Sequence, residues 1–129
     1  MTQPFPLILL SEEFSVCRLA PNAALPPWAE RPDAVFTCVV RTGEELSIVC
    51  PSRLVPAGIL QEPGFCAFKL RGPVPFTTTG VVSSLTTPLA AAGLSVFVLS
   101  TYDTDYLLVR SSTLDQAVRA LRLHGFIVG

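Results

Sequence analysis

The segment from Gly93 to Arg110 constrains the fold most strongly, because it contains two apolar runs rich in strand-forming residues. The runs are Leu94–Leu99 and Tyr106–Val109, and a polar hexad, STYDTD at residues 100–105, lies between them. This pattern predicts two consecutive strands whose connection carries hydroxyl and carboxylate groups. Such strand ends are frequent positions for ligand sites. The same residue types also close ordinary turns, so a ligand site and a plain hairpin both remain open interpretations here.

The C-terminal half predicts an alternation of strands and helices. Phe65–Leu70 is typical of a short strand, and the threonines at 77–79 precede a helical pattern. Thr113 and Gln116 form a capping-box signature before a second helix, and Phe126–Val128 predicts a short closing strand. The apolar residues at helical spacing are Val82, Leu85, Leu89 and Ala92 in the first helix and Leu114, Ala117, Val118 and Leu121 in the second. The resulting order is βαββαβ, the ferredoxin-like arrangement.

The N-terminal half predicts a degenerate copy of the same order. Short helical turns are expected near Trp28 and at Arg53–Val55. The predicted strands are Leu7–Leu10, Phe14–Leu19, Val35–Arg41 and Leu46–Cys50. The fold class expected is therefore α+β, with two ferredoxin-like units in tandem: a degenerate one at residues 1–60 and a regular one at residues 61–129.

The composition excludes several classes of protein. Half of the 129 residues are hydrophobic and the mean hydropathy is +0.52, so the chain has ample apolar surface for a folded core. Nine basic residues oppose ten acidic ones, without a basic run, and Lys69 is the sole lysine. Nucleic acid and anionic membrane surfaces are therefore not expected as partners. No apolar run approaches the roughly 20 residues of a membrane-spanning helix, so no membrane association is predicted.

The four cysteines predict no metal site. Cys17, Cys38, Cys50 and Cys66 include no CxxC pair, and His124 is the single histidine. Each cysteine lies in an apolar run, which favours reduced thiols and a cytoplasmic protein. Two disulfides in a secreted protein are the alternative. No phosphate loop, nucleophile elbow or dinucleotide motif occurs, so no cofactor is predicted and the chain is not expected to be an enzyme. The histidine is expected to contact carbonyl groups at the end of the last helix.

The two strands of the C-terminal half are apolar on both faces. Val96 and Val98 alternate with Phe97 and Leu99, whereas a sheet with one solvated face would alternate apolar with polar residues. Helices can cover one face, and the N-terminal half or a second subunit must cover the other. Together with the high apolar content, this pattern favours a homodimer.

The loop at residues 72–80 and the polar hexad together predict a ligand site. Free amides at the start of the first helix can hold an anion, and the hexad offers carboxylates and hydroxyls. These groups complement the carboxylate and the ammonium of a free amino acid. The alternative is that the threonines only cap the helix. The candidate ligand-binding residues are Gly72, Thr79, Gly80, Val81, Ser100, Thr101, Asp103 and Asp105.

Several of these segments together resemble the ACT domain family. They are Gly72-Pro73, Thr79–Val81, Gly93–Phe97 and Ser100–Val109, and Leu46–Pro51 in the first half shows the same resemblance. The chain is similar in particular to small bacterial tandem-ACT proteins related to the CASTOR arginine sensors. The resemblance implies two ACT units, binding of an amino acid or another small effector, and association with further ACT copies.

The resemblance also implies where a ligand would bind. In the CASTOR type, the ligand lies between two ACT units, against a Ser-Thr pair and an acidic position that correspond here to Ser100, Thr101 and Asp105. This chain has only two ACT-like units, so an equivalent of the four-unit arrangement requires a dimer. The identity of the ligand is not implied, and a structural dimerisation module without a ligand is the alternative function.

Overall fold

The structure is a computed structural model that describes residues 5–75 and 78–129. It has six strands, two α-helices and short 3-10 helices at Pro27–Ala29, Ser52–Leu54 and Ser111–Thr113. The strands are β1 (Leu7–Leu19), β2 (Cys38–Arg41), β3 (Leu46–Pro51), β4 (Gln61–Leu70), β5 (Phe97–Ser100) and β6 (Asp105–Arg110), and the helices are α1 (Val81–Ala91) and α2 (Leu114–Leu123). Neither helix has the length and apolar character needed to cross a membrane, and no other described helix does.

The six strands form a sheet in the order β2-β3-β1-β4-β6-β5, which confirms the α+β class. The pairs β1–β3, β2–β3 and β5–β6 are antiparallel. The chain divides into two compact units, one built from the residues up to Ser11 with Cys66–Gly129, the other from Glu12–Phe65. The tandem of ferredoxin-like units at residues 1–60 and 61–129 remains a prediction.

In the unit that contains the C-terminus, both helices cover one face of the strands. Alternation along β4 directs Phe68 and Leu70 into this core, whereas Lys69 lies on the opposite face. The predicted helical faces are confirmed at Leu85 and Leu89, and at Ala117 and Leu121. Val82 and Ala92, which were placed on the same face of the first helix, are exposed instead. The central buried residues are Phe68, Leu70, Leu85, Leu89, Leu107, Val109, Ala117 and Leu121.

Several element boundaries differ from those predicted. β1 is one continuous strand because the polar residues 11–13 include neither glycine nor proline and do not break it. β5 begins only at Phe97, because the Leu94 N–H donates to the Leu89 carbonyl at 2.9 Å and closes the end of α1. The Thr77 that was expected to precede this helix lies outside the described residues.

Of the two predictions at the ends of α2, the capping box is wrong and the closing strand is correct only in part. The hydroxyl of Thr113 donates to the Arg110 carbonyl at 3.1 Å and does not cap the helix, because a 3-10 turn precedes α2. The predicted strand Phe126–Val128 is reduced to an isolated parallel bridge between Val128 and Leu7. Phe126 instead donates its N–H to the carbonyl of Leu121 at 3.1 Å and so belongs to the end of the helix.

The second unit has a separate small core and an irregular segment before β2. The short turn expected near Trp28 is present as the 3-10 helix Pro27–Ala29. The small core contains Cys17, Leu46, Ile48 and Cys50, which are buried together. Both of these cysteines are free thiols. The neighbouring Cys17 thiol and burial both raise the pKa of Cys50, so this group stays protonated at neutral pH.

Gly72 lies where the chain after β4 passes close to the connection between β5 and β6. A Cβ atom at this position would lie 2.9 Å from the Asp103 carbonyl oxygen and 3.2 Å from the Cβ atom of Thr104. The N–H of Val74 donates to the same Asp103 carbonyl at 2.6 Å, and the Thr104 hydroxyl donates to the Leu70 carbonyl. Only glycine therefore fits at position 72 without displacing the backbone.

We expect Gly72→Ala to lower the free energy of unfolding by about 1–3 kcal/mol, because the added methyl group forces the two backbone segments apart. Urea denaturation followed by circular dichroism measures the effect. Gly43→Ala is the matched control, since nothing lies within 4 Å of a Cβ atom at that position. Equal stabilities of Gly72→Ala and the wild type would contradict the tight approach.

Candidate functional site

A cavity of about 380 Å³ lies at the start of α1, in the unit that contains the C-terminus. The first turn of the helix forms one wall, and the ends of β5 and β6 form another. The volume is within the usual range of small-molecule sites, about 300–1,000 Å³. The structure brings five of the eight predicted site residues to this cavity: Gly80, Val81, Ser100, Thr101 and Asp105.

The helix wall presents backbone amides. Gly80 precedes α1 in a left-handed conformation with φ +76°, and it has no side chain with which to cap the helix. The first intrahelical hydrogen bond runs from the Ser84 N–H to the Gly80 carbonyl at 2.9 Å. The amides of Val81, Val82 and Ser83 precede that bond and so have no acceptor within the helix. Among the described residues, no acidic side chain lies in this first turn, so the wall is electropositive.

The strand wall presents a carboxylate. Ser100 and Asp105 are directly opposite each other where β5 ends and β6 begins, and the Ser100 hydroxyl donates to Oδ1 of Asp105 at 2.6 Å. This bond orients the carboxylate from one side. Asp105 is the only charged side chain among the described residues that line the cavity. The site thus combines donors on one wall with a single acid on another.

Thr101 closes the turn between the two strands. Its N–H donates to the Thr104 carbonyl at 2.8 Å, and its hydroxyl accepts from the Thr104 N–H at 3.2 Å. Thr104 is buried, with 5% of its surface exposed. The hydroxyl of Thr101 therefore stabilises the turn, which is the structural role expected of turn residues.

Three predicted site residues do not line this cavity. Gly72 and Asp103 instead line a separate cavity of about 310 Å³, and Thr79 is absent from the linings of both. Asp103 and Asp105 line different cavities because the turn reverses the chain between them. The first cavity is completed by residues that were not among the predicted site residues. Two of them, Val82 and Ser83, could have been expected because they follow directly on the start of the helix. The full set is Val74, Pro75, Thr78, Val82, Ser83, Tyr102 and Thr104.

The structure describes no metal centre within residues 5–75 and 78–129, since no three acidic, histidine or cysteine side chains converge there. His124 contacts the Ala120 carbonyl through Nδ1 at 3.0 Å, which confirms the predicted position at the end of α2. The polar groups at the first cavity thus include the amides at the start of α1, the Ser100 hydroxyl and the Asp105 carboxylate.

Comparison with known proteins finds family models that match two parts of the chain. The family model of the ACT domain matches residues 61–122, and a model of an N-terminal domain matches residues 12–58. No curated protein matches the chain significantly.

Solved structures show the same fold over nearly the whole chain. The protein Atu0741 from Agobacterium tumefaciens is 36% identical, with a TM-score of 0.91 over 99% of this chain and 94% of that one. VC0802 from Vibrio cholerae, described as a possible transport protein, is 23% identical, with a TM-score of 0.74 over 94% of this chain and 90% of that one. The regulatory subunit of aspartate kinase from Thermus thermophilus is 10% identical, with a TM-score of 0.62 over 92% of this chain and 96% of that one.

The two distant structures establish likeness of fold alone, whereas the Agobacterium tumefaciens protein is related in sequence over its length. The chain therefore belongs to the same family as the Agobacterium tumefaciens protein, and its residues 61–122 match the ACT domain family.

Proposed function

We propose that the chain binds a free amino acid at the cavity beside the start of α1 and acts as a regulatory protein without catalytic activity. The observation that carries the proposal is that one cavity is lined both by helix amides that the N-cap residue does not cap and by Asp105, the single carboxylate among its described lining residues. These two groups have the polarity required by the carboxylate and the ammonium of an amino acid.

The carboxylate of the ligand would bind at the first turn of α1. Amides of Val81, Val82 and Ser83 point along the helix axis toward the N-terminus, where the partial positive charge of the helix also lies. Because Gly80 has no side chain, a ligand can approach this backbone closely. Backbone donors at a helix start bind carboxylates without a basic side chain.

The ammonium of the ligand would bind to Asp105. Ser100 occupies one side of Oδ1, and the remaining lone pairs of the carboxylate can accept from a cation. An ammonium-carboxylate hydrogen bond is roughly twice as strong as a neutral one. A ligand charge placed here is therefore paired, as burial of a charge requires.

The remaining walls favour a ligand side chain without charge. Val74, Pro75, Val81 and Val82 contribute apolar surface, and no cation or second acid is present among the described lining residues. A charged side chain would lose water without gaining a partner. We therefore expect aliphatic amino acids to bind better than arginine, lysine, aspartate or glutamate.

We also propose a homodimer in the cytoplasm, built from tandem ACT units at residues 1–60 and 61–129 and related to the CASTOR type of sensor. The free thiols support a reducing compartment. The edge strands support a second copy, since Val39 and Val40 on β2 and Phe97 on β5 are 41%, 48% and 36% exposed. Exposed apolar edges are commonly covered by another chain.

Thermal unfolding with each of the twenty amino acids tests the binding function. A ligand that binds only the folded state stabilises it by about 2.7 kcal/mol at a hundredfold excess over its Kd. For a chain of this size we expect a rise in Tm of several degrees with aliphatic amino acids. If no amino acid raises the Tm at millimolar concentration, the proposed function is wrong.

Variants of the two acids of the hexad locate the site. Asp105→Asn keeps the size of the side chain but removes its charge, so we expect the ligand-dependent rise in Tm to disappear. Asp103→Asn is the matched control, because Asp103 is only two residues away but faces another cavity. Equal losses in both variants would contradict the assignment. If Asp105→Asn fails to fold, Ser100→Ala tests the same wall, and we expect it to weaken binding.

Light scattering coupled to size-exclusion chromatography at micromolar concentration tests the dimer. We expect a mass of twice the 13.8 kDa of one chain, because the apolar edge strands are covered in the assembly. A mass of 13.8 kDa across that concentration range would refute the dimer without affecting the proposed ligand site.

A further inference from the structure

A second cavity, of about 310 Å³, lies on the other side of the connection between β5 and β6. It shares Thr101 and Thr104 with the first cavity but otherwise has a different lining. Its charged side chains are Lys69, Arg71 and Asp103. The two cavities therefore lie on either side of one turn and differ in their charged side chains, of which the first cavity has Asp105 alone among its described lining residues.

The strand pattern places the second cavity on the sheet face opposite the helices. Phe68 and Leu70 belong to the core beneath α1 and α2, so Lys69 between them points away from the helices. The same alternation places Tyr106 opposite Leu107 of that core. Arg71 follows two residues after Lys69, at the end of β4, and both side chains line the cavity.

The two cations have no protein counter-ion in the described part of the chain. No salt bridge between described residues involves Lys69 or Arg71. Asp103 lines the same cavity, but it does not come within ion-pair distance of Lys69 or Arg71. Two like charges around one cavity repel each other, and an anion between them removes this repulsion.

We propose that the second cavity binds a small anion with carboxylate or phosphate oxygens, held between Lys69 and Arg71. The guanidinium of Arg71 can bind such oxygens through two parallel hydrogen bonds, and the ammonium of Lys69 adds a point charge. Both cations are partly exposed to solvent, so the Kd is expected to be in roughly the millimolar range. This site is independent of the proposed amino-acid site, whose lining contains no cation.

Calorimetric titration with inorganic phosphate and, separately, with succinate tests the proposal, with ionic strength held constant by sodium chloride. We expect saturable binding of at least one of the two anions. The double variant Lys69→Gln/Arg71→Gln should weaken that binding about tenfold or more, because both charged partners are lost. The relative affinities for phosphate and succinate identify the preferred oxygen group.

Two control variants separate this site from general charge effects and from the proposed function. Arg119→Gln removes an exposed cation from a different cavity, and Asp105→Asn removes the acid of the amino-acid site. Both should bind the anion as the wild type does. Absence of saturable binding, unchanged binding by the double variant, or an equal loss in Arg119→Gln would each overturn the proposal.

Discussion

The close approach between residues 72–74 and the turn that joins β5 to β6 determines the walls of both cavities. It depends on the missing side chain of Gly72, which lets the Asp103 carbonyl come within reach of the Val74 amide. The buried hydroxyl of Thr104 fixes the same turn to the end of β4 through the Leu70 carbonyl. Val74 and Thr104 of this contact line the first cavity together with the start of α1 and Asp105.

The different charged side chains on the two sides of this turn arise from strand geometry. Side chains alternate between faces along β4 and β6, so the apolar residues under the helices leave Lys69 and Tyr106 on the other face. On the helix side, the electropositive groups are backbone amides, which need no basic residue. The chain can therefore present donors on both sides of the turn while having a net charge of only −1.

The sequence predicted the elements whose apolar residues recur at a regular spacing. It missed details in which alternative hydrogen-bond partners compete for the same group. The helix at Val81–Ala91 and the hairpin around the hexad follow from apolar spacing and turn residues. The capping box at Thr113 failed because a 3-10 turn offers its hydroxyl the nearer Arg110 carbonyl. The strand at Phe126–Val128 is shortened to a parallel bridge with β1, because the Phe126 amide is bonded to the end of α2.

The candidate site was also predictable in part, namely at the residues that lie at the ends of regular elements. The positions of Gly80, Val81, Ser100 and Asp105 follow from the helix start and from the strand ends, both of which the pattern indicated. The separation of Asp103 from Asp105 was not predictable, because it depends on where the turn reverses the chain. No pattern in the neighbouring sequence indicates that an apolar residue such as Val74 lines the cavity, since only the packing of the loop brings it there.

The most direct test of the amino-acid site is a two-dimensional amide NMR titration of the ¹⁵N-labelled protein with the aliphatic amino acid that stabilises it most. We expect the largest shifts on the amides of Val81, Val82 and Ser83 and on residues 100–105. Shifts concentrated on α2 and β1, or an unchanged spectrum at saturating concentration, would contradict the proposed site.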